Sequence, residues 1–203
     1  MNLICFSDIP WEQNHSRTKF ILGCFSNHYV TYYIEEFVLN DQDDGYDLNI
    51  SKEGVLVISP HLLSENCSEN ERDIRASKII KDFLSEEGII EYVFWYYTPM
   101  VFTFTKGFKP KLSIYDCIDE QKAFSFIDDK AKDLRQELSD KVDIVFEGNK
   151  TNGSVSETAW VLIYLEMQKI IKSRLEGKEM MKIVRLPRLS DSMKLNSRES
   201  FGK

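Results

Sequence analysis

The 203-residue sequence contains no run of apolar residues near the roughly 18 that span a membrane, which argues against a transmembrane protein. Its four cysteines form no Cys-x-x-Cys pair, so the spacings typical of zinc sites are missing. The sequence also lacks a glycine-rich phosphate loop, a His-Glu-x-x-His motif and a Gly-x-Ser-x-Gly motif. It therefore supports no metal site, no cofactor and no activated nucleophile.

Positive charge is scarce as well, with 26 lysines and arginines against 33 aspartates and glutamates and a net charge of −7. Surfaces that bind nucleic acid are basic, so we expect no nucleic-acid partner. The first five residues lack the length and the basic flank of a signal peptide. Three of the four cysteines lie in apolar surroundings and are expected to be reduced core residues. These features predict a soluble, cytoplasmic protein.

Apolar runs and helical stripes alternate along the first 148 residues, and 42% of the chain is apolar, enough for one domain with a real core. The runs typical of strands occupy residues 2–7, 29–34, 55–59, 89–97, 112–115 and 142–146. One helical stripe, before the expected C-cap Gly88, consists of Ile74, Ile79, Ile80, Phe83 and Leu84. This alternation predicts an α/β fold: a Rossmann-like, mostly parallel sheet of about six strands with helices on both faces.

The composition changes after residue 149. Residues 150–154 are typical of a turn, residues 158–175 carry an amphipathic helical stripe, and residues 181–186 suit a short strand. We predict a Rossmann-like domain over residues 1–149, a helix and a short strand packed on it over residues 150–186, and a flexible tail over residues 187–203. The alternative is that residues 158–175 form an ordinary final helix of a six-stranded domain.

Two of the predicted strands end in polar residues. Thr98-Pro99 follows the run that ends at Tyr97, and Asp116-Cys117-Ile118-Asp119-Glu120 follows residues 112–115. In an open parallel sheet ligands bind outside the carboxyl ends of the strands, so both groups belong to one edge. We predict a catalytic role for Asp116 and substrate contacts for Thr98, Asp119 and Glu120. The alternative for the last two is that they cap the next helix and complement its dipole.

Four further side chains are candidates on the basis of their type and position. His61 follows a predicted strand and is a candidate catalytic acid or base near neutral pH, or else an exposed loop histidine. Trp95 is a candidate platform for a sugar ring, or else a core residue, and Trp11 is a candidate substrate contact. Arg17 is a candidate contact for an anionic group at a helix N-terminus, or else part of a solvated helix face. We expect Asp116, Thr98, Trp11 and His61 to line one concavity.

These motifs resemble those of a known family in order and spacing over about the first 148 residues. The shared motifs are WYYTPM at residues 95–100, YDCIDE at residues 115–120 followed by Ala123 and Phe124, and a strand ending VF-x-G at residues 145–148. Weaker matches lie at Ser7, at Trp11 and at residues 33–36 and 59–61. The resemblance is to glycosyltransferase-like proteins of bacterial polysaccharide loci, often found beside UDP-galactopyranose mutase. They belong to the retaining glycosyltransferases built from two Rossmann-like halves.

The resemblance implies a glycosyltransferase-like protein that forms the N-terminal, acceptor-side half of an enzyme of bacterial surface-polysaccharide synthesis. Such an enzyme moves a sugar from a nucleotide-sugar to an acceptor hydroxyl, so the implied partners are a sugar acceptor and a nucleotide-sugar. The helix at residues 158–175 is similar to the closing helix that packs back on the first half. The competing hypothesis is a non-catalytic module that binds sugar or docks onto a partner.

Two departures from the family limit what is carried over. A basic, glutamine-rich segment that opens the first helix in the family reads NHSRTK here, at residues 14–19. The resemblance does not extend to the half that holds the nucleotide-sugar in such enzymes. We therefore expect weak or no nucleotide-sugar binding. Without that half, Ile9, Trp11 and residues 99–102 would expose apolar surface, so we expect a homo-oligomer, a partner chain or residues 181–186 to cover the carboxyl edge.

Overall fold

A computed structural model describes residues 1–14, 16–64, 67–117, 129–147 and 157–186. Its strands are β1 (Asn2–Phe6), β2 (Val30–Ile34), β3 (Val38–Asn40), β4 (Gly45–Ile50), β5 (Leu56–Leu63), β6 (Tyr92–Tyr96), β7 (Leu112–Asp116), β8 (Ile144–Glu147) and β9 (Ile183–Arg185). Its α-helices are α1 (Ser16–Ser26), α2 (Glu69–Glu86), α3 (Phe102–Thr105), α4 (Asp129–Lys141) and α5 (Glu157–Leu175). Within these ranges no helix is long and apolar enough to cross a membrane.

The strands form one sheet in the order β3-β5-β2-β1-β6-β7-β8-β9, with β4 also paired to β5. Neighbouring strands are parallel except β4 and β5, which run antiparallel. The prediction of an α/β, Rossmann-like and mostly parallel sheet is confirmed. The described residues contain nine strands rather than about six because β3, β4 and β9 extend the sheet at its two ends. Most residues of these three strands are at least partly exposed, so they lack the apolar runs of the central strands.

Two apolar cores cover the two faces of the sheet. Along β1, Leu3 and Cys5 belong to one core, whereas Ile4 and Phe6 belong to the other, because successive side chains of a strand point to opposite faces. Helices α1 and α5 contribute to the first core, and α2, α3 and α4 to the second. The central strands are buried on both faces, which is why they read as continuous apolar runs in the sequence.

Helix α5 and the residues around strand β9 pack into the same apolar core as strands β1 and β6. Ile163, Met167 and Ile170 of α5 are at most 4% exposed and belong to the same core as Trp95. The ring of Tyr164 packs edge-on against Phe25 of α1, with 4.9 Å between ring centroids. Strand β9 pairs with β8 in parallel, and Leu186 after it is buried. The helix and strand predicted after residue 149 therefore exist and pack on the first part, while the division into domains stays a prediction.

Helix α2 matches its predicted end but not the whole of its predicted apolar stripe. Gly88 has a φ of +62°, the left-handed conformation expected of a C-cap glycine. Ile80 and Phe83 are fully buried, but the side chain of Ile74 is 62% exposed, so its assignment to the core was wrong. Ile74 precedes the buried Ala76 by two residues, or about 200° around the helix, which places it on the opposite side.

Strand β5 continues through Pro60 and His61 to Leu63, so the prediction that it ends at Ser59 was wrong. On one side β5 pairs first with β2, up to Ile58, and then with β3, from His61. The carbonyl of Ile58 accepts a hydrogen bond from the backbone N–H of Glu35. Residues two apart in a strand direct their backbone groups to the same side, so Pro60, which has no N–H, faces the gap between β2 and β3. A proline at this position removes no ladder hydrogen bond, and the strand passes through it.

Candidate functional site

The strand order reverses at β1, which has β2 on one side and β6 on the other. This reversal is a topological switch point, where the connections leave in opposite directions and open a crevice outside the carboxyl ends. Ser7 follows β1 and donates to the carbonyl of Ile34 at 3.1 Å, and Tyr97 follows β6 and donates to the carbonyl of Phe6 at 2.9 Å. Ser7, Tyr97 and Thr98 therefore border this space, which we call the edge crevice.

Arg17 and Asp116, two candidates chosen independently, form a buried ion pair at this edge. One guanidinium nitrogen, Nη2 of Arg17, lies 2.9 Å and 3.2 Å from the two carboxylate oxygens of Asp116. Arg17 is 4% exposed and Asp116 1% exposed, and the two are 99 residues apart in sequence. Arg17 lies in the first turn of α1, where the helix dipole disfavours a cation, so the carboxylate of Asp116 offsets an otherwise unfavourable charge.

Burial, with a contribution from the ion pair, keeps two neighbouring groups neutral. Burial raises the pKa of the Cys5 thiol well above its usual value, and the negative charge of Asp116 raises it further. Burial likewise raises the pKa of the Tyr97 hydroxyl, with a further contribution from Asp116 that Arg17 partly offsets. Both groups are therefore protonated and neutral at physiological pH. Neither can act as an anionic nucleophile or base in this state.

The loop between β1 and α1 is fixed by two side chains from β2 and its end. The hydroxyl of Tyr33 donates to the carbonyl of Ile9 at 2.7 Å and accepts from the side-chain amide of Asn14. The carboxylate of Glu35 accepts from the backbone N–H of Trp11 at 2.6 Å and from the hydroxyl of Ser59 at 2.7 Å. Sequence reasoning treated this strand end only as a weak family match and missed its role in holding the loop.

Both candidate tryptophans are enclosed by the core. The ring of Trp11 is 2% exposed and meets Tyr33 edge-on, with 4.9 Å between centroids. Trp95 is fully buried between Phe25 and Phe146, whose centroids lie 5.5 Å and 5.8 Å from its own. A substrate contact by either ring would require the core to open, and it stays a prediction.

Thr98 and Asp116 lie at the carboxyl ends of neighbouring strands, but His61 does not. The register of β6 on β7 pairs Tyr96 with Tyr115, which brings Thr98 just beyond the level of Asp116. His61 lies on β5, which is four strand spacings from β7, or about 19 Å at the usual spacing. Its Nε2 is 3.5 Å from a carboxylate oxygen of Asp43. His61 and Asp116 therefore do not form one catalytic pair in this structure.

Two predicted site residues, Asp119 and Glu120, lie outside the described residues, as do Ala123, Phe124 and Gly148 of the family motifs. Among the residues that are described, no group of three histidine, cysteine or acidic side chains is arranged to hold a metal ion. All four cysteines are free thiols; Cys5 and Cys117 are buried and Cys24 is partly buried against the first core, so two of the three expected core cysteines are fully enclosed.

Comparison with solved structures finds similarity at low sequence identity. No family model and no curated protein matches the chain. A structure described as trehalose-6-phosphate from E. coli bound with UDP-2-fluoro glucose is 11% identical over 84% of this chain and 43% of its own, with a TM-score of 0.46. Two sucrose-phosphate synthase structures from Thermosynechococcus elongatus have TM-scores of 0.48. The first is 9% identical over the whole of both chains, and the second 8% identical over 92% of this chain and 48% of its own. The chain thus spans less than half of two of these three structures.

Two rings of the apolar patch expected at the carboxyl edge are covered by the chain itself, whereas Met100 in the same patch is 46% exposed. Trp11 is 2% exposed and Phe102 is 7% exposed, so neither ring presents the surface that was expected to need a partner. Trp11 is covered by Tyr33, and Phe102 packs edge-on against Tyr96. The expectation that residues 181–186 cover these rings was wrong, since β9 extends the sheet beside β8 instead. A homo-oligomer or a partner chain stays a prediction, without the two exposed rings that were its main motive.

Replacing Tyr97 with phenylalanine should change the free energy of unfolding by less than about 0.5 kcal/mol. The hydroxyl oxygen of Tyr97 is buried and has no hydrogen-bond partner among the described residues, so its removal breaks no bond. Tyr33→Phe is the matched control. It removes the hydrogen bond to the carbonyl of Ile9 and the one from the side-chain amide of Asn14, and it should cost about 1–2 kcal/mol. Urea denaturation measures both, and equal losses would contradict the prediction.

Proposed function

We propose that this chain is a glycosyltransferase-like protein, the acceptor-side half of an enzyme that moves a sugar from a nucleotide-sugar to an acceptor hydroxyl in bacterial surface-polysaccharide synthesis. The observation that carries the proposal is the edge crevice at the β1/β6 switch point, with the Arg17–Asp116 pair in its wall. Ligands of open α/β sheets bind at this place. The family motifs quoted above supply the chemical class of the ligand.

The residues around the edge crevice have different roles in this proposal. Thr98 lies at the end of β6, where its hydroxyl accepts from the N–H of Met100 at 3.4 Å, a long bond that an acceptor sugar can replace. Arg17 and Asp116 hold α1 and β7 together and position the wall. A direct catalytic role for Asp116 requires the ion pair to open when substrate binds, because both carboxylate oxygens contact Arg17.

A second candidate function is a non-catalytic module that binds sugar or docks onto a partner. The burial of the Arg17–Asp116 pair favours it, because such a pair can be purely structural. The distance of His61 from Asp116 favours it too, since the predicted acid or base does not stand beside the carboxylate. In this case the edge crevice binds a saccharide or a protein surface without turnover.

Titration with saccharides and nucleotide-sugars tests the proposal. We expect neutral mono- and disaccharides at about 1 mM or above to shift the backbone amide NMR signals of Ser7, Tyr97 and Thr98. We also expect calorimetry with UDP- and GDP-sugars to show no binding in the low micromolar range, because the chain has no glycine-rich phosphate loop. Low micromolar binding would show that this part of the chain carries a donor site. Saccharide shifts absent from the edge crevice would contradict the acceptor-side role.

The Thr98→Val variant sharpens this test. Valine has the shape of threonine without the hydroxyl, so saccharide affinity should fall about fivefold, the effect of losing one hydrogen bond of about 1 kcal/mol. Thr31→Val is the matched control, because Thr31 is also buried but lies at the amino-terminal end of β2. An equal loss in both variants would show a general effect on the fold rather than a contact in the edge crevice.

A further inference from the structure

A cavity of about 370 Å³ lies between α3, α4 and the strands β6 and β7. We call it the α3–α4 cavity. It is on the opposite face of the sheet from the core that α1 and α5 cover, since Tyr96 and Phe102 in its wall belong to the second core. It is therefore distinct from the wall formed by Arg17. Its size is at the lower end of the range for small-molecule sites, which suits a single sugar ring better than a nucleotide-sugar.

The inner wall of the α3–α4 cavity is aromatic and rigid. Tyr96, Phe102 and Phe108 line it, and the hydroxyl of Tyr96 lies 3.2 Å from that of Thr105. Thr105 in turn donates to the carbonyl of Val101 at 2.8 Å, so these polar groups are satisfied and hold the wall in place. Tyr96 and Thr105 are 3% and 1% exposed. Tyr96 and Phe102 are themselves buried, so the ring that can pack against the apolar side of a pyranose is Phe108, which is only partly buried.

The outer rim of the cavity carries charges that have no partner among the described residues. Lys106 and Lys141 line it, and neither has a carboxylate within ion-pair distance in that part of the chain. Glu137 precedes Lys141 by four residues on α4, the spacing and order that favour an ion pair on a helix surface. The two do not pair, and both side chains line the cavity instead. Two ammonium groups and one carboxylate leave the rim with a net positive charge.

We propose that the α3–α4 cavity is a binding site for a monosaccharide that bears one negative group, such as a sugar phosphate or a uronate. The partly exposed ring of Phe108 receives the apolar face of the sugar, and Lys106 and Lys141 pair with the negative group. Glu137 accepts a hydrogen bond from a ring hydroxyl. The site does not depend on the function proposed for the edge crevice, because no residue in its wall belongs to that crevice.

Calorimetry on the full chain with four probes tests this site: glucose 6-phosphate, glucuronate, glucose and inorganic phosphate. We expect the two anionic sugars to bind with a dissociation constant of about 1 mM or below, and glucose and phosphate to bind at least about tenfold more weakly. Preference for one anionic sugar identifies the negative group as a phosphate or a carboxylate. If inorganic phosphate binds as tightly as glucose 6-phosphate, the claim that the ligand is a monosaccharide is overturned. If no probe binds, the site itself is overturned.

Variants of the two lysines locate the binding. Lys106→Gln and Lys141→Gln should each weaken the anionic sugars about tenfold, the effect of losing one charge-assisted hydrogen bond, while leaving glucose unchanged. Both lysines are exposed, so the variants are expected to fold. Lys172→Gln is the matched control, because it removes the same charge from the exposed surface of α5. Equal weakening in all three variants, or in none of them, overturns the assignment to this cavity.

Discussion

Replacing Arg17 with methionine should lower the free energy of unfolding by about 3–5 kcal/mol, the usual cost of removing one partner from a buried ion pair. The carboxylate of Asp116 is 1% exposed and would remain in the interior without the positive charge 2.9 Å away. Asp116→Leu should cost a similar amount for the reciprocal reason. The double variant should lose much less than the sum, because neither charge is then left alone. Guanidinium denaturation followed by circular dichroism measures all three.

Arg75→Met is the matched control for this experiment. Arg75 also binds a carboxylate, that of Asp44, and does so through two nitrogens. Its side chain is 20% exposed and that of Asp44 34% exposed, so water screens the pair. Its loss should be much smaller than that of Arg17→Met. Arg75 holds the pKa of Asp44 below its usual value, so this stabilisation is present at neutral pH and is lost as the pH falls through that lowered pKa. Equal losses at residues 17 and 75 would contradict the prediction.

Replacing Trp95 with alanine should lower the free energy of unfolding by about 3–5 kcal/mol, because it opens a large cavity in the middle of the sheet. The indole is fully buried and packs against Phe25 and Phe146 on either side. Trp95→Phe is the matched variant. It keeps an aromatic ring in this place and removes an indole N–H that has no hydrogen-bond partner among the described residues, so its loss should be less than half as large.

The same pair of variants separates the two interpretations of Trp95. If the residue serves the core alone, Trp95→Phe retains the affinity of the edge crevice for saccharides. If instead the indole contacts a ligand, Trp95→Phe loses saccharide affinity while its stability stays near that of the parent protein. The second result would mean that the core around β6 opens when a ligand binds.

The central strands could be predicted because both their faces are buried. β1, β2, β6, β7 and β8 appear in the sequence as short apolar runs bounded by polar residues, and the structure confirms all five. The edge strands could not be predicted as well. β4 contains Asp47 and Asn49 and gains its hydrogen bonds from β5, so its conformation comes from a partner and not from its own side chains. The length of β5 was missed for the same reason, since its continuation past Pro60 depends on β3 and β4.

The sequence by itself determined the class of fold and the edge at which to look for a site. Apolar runs that end in polar residues place Thr98 and Asp116 at the carboxyl ends of neighbouring strands, and the parallel sheet makes that one edge. Only the tertiary structure decided which of the candidates meet. Arg17 and Asp116 come together across 99 residues because β6 lies next to β1 and β7 next to β6. His61 is remote because β2, β1 and β6 stand between β5 and β7. Strand order is a property of the whole packed sheet, and a local pattern of residues carries no information about it.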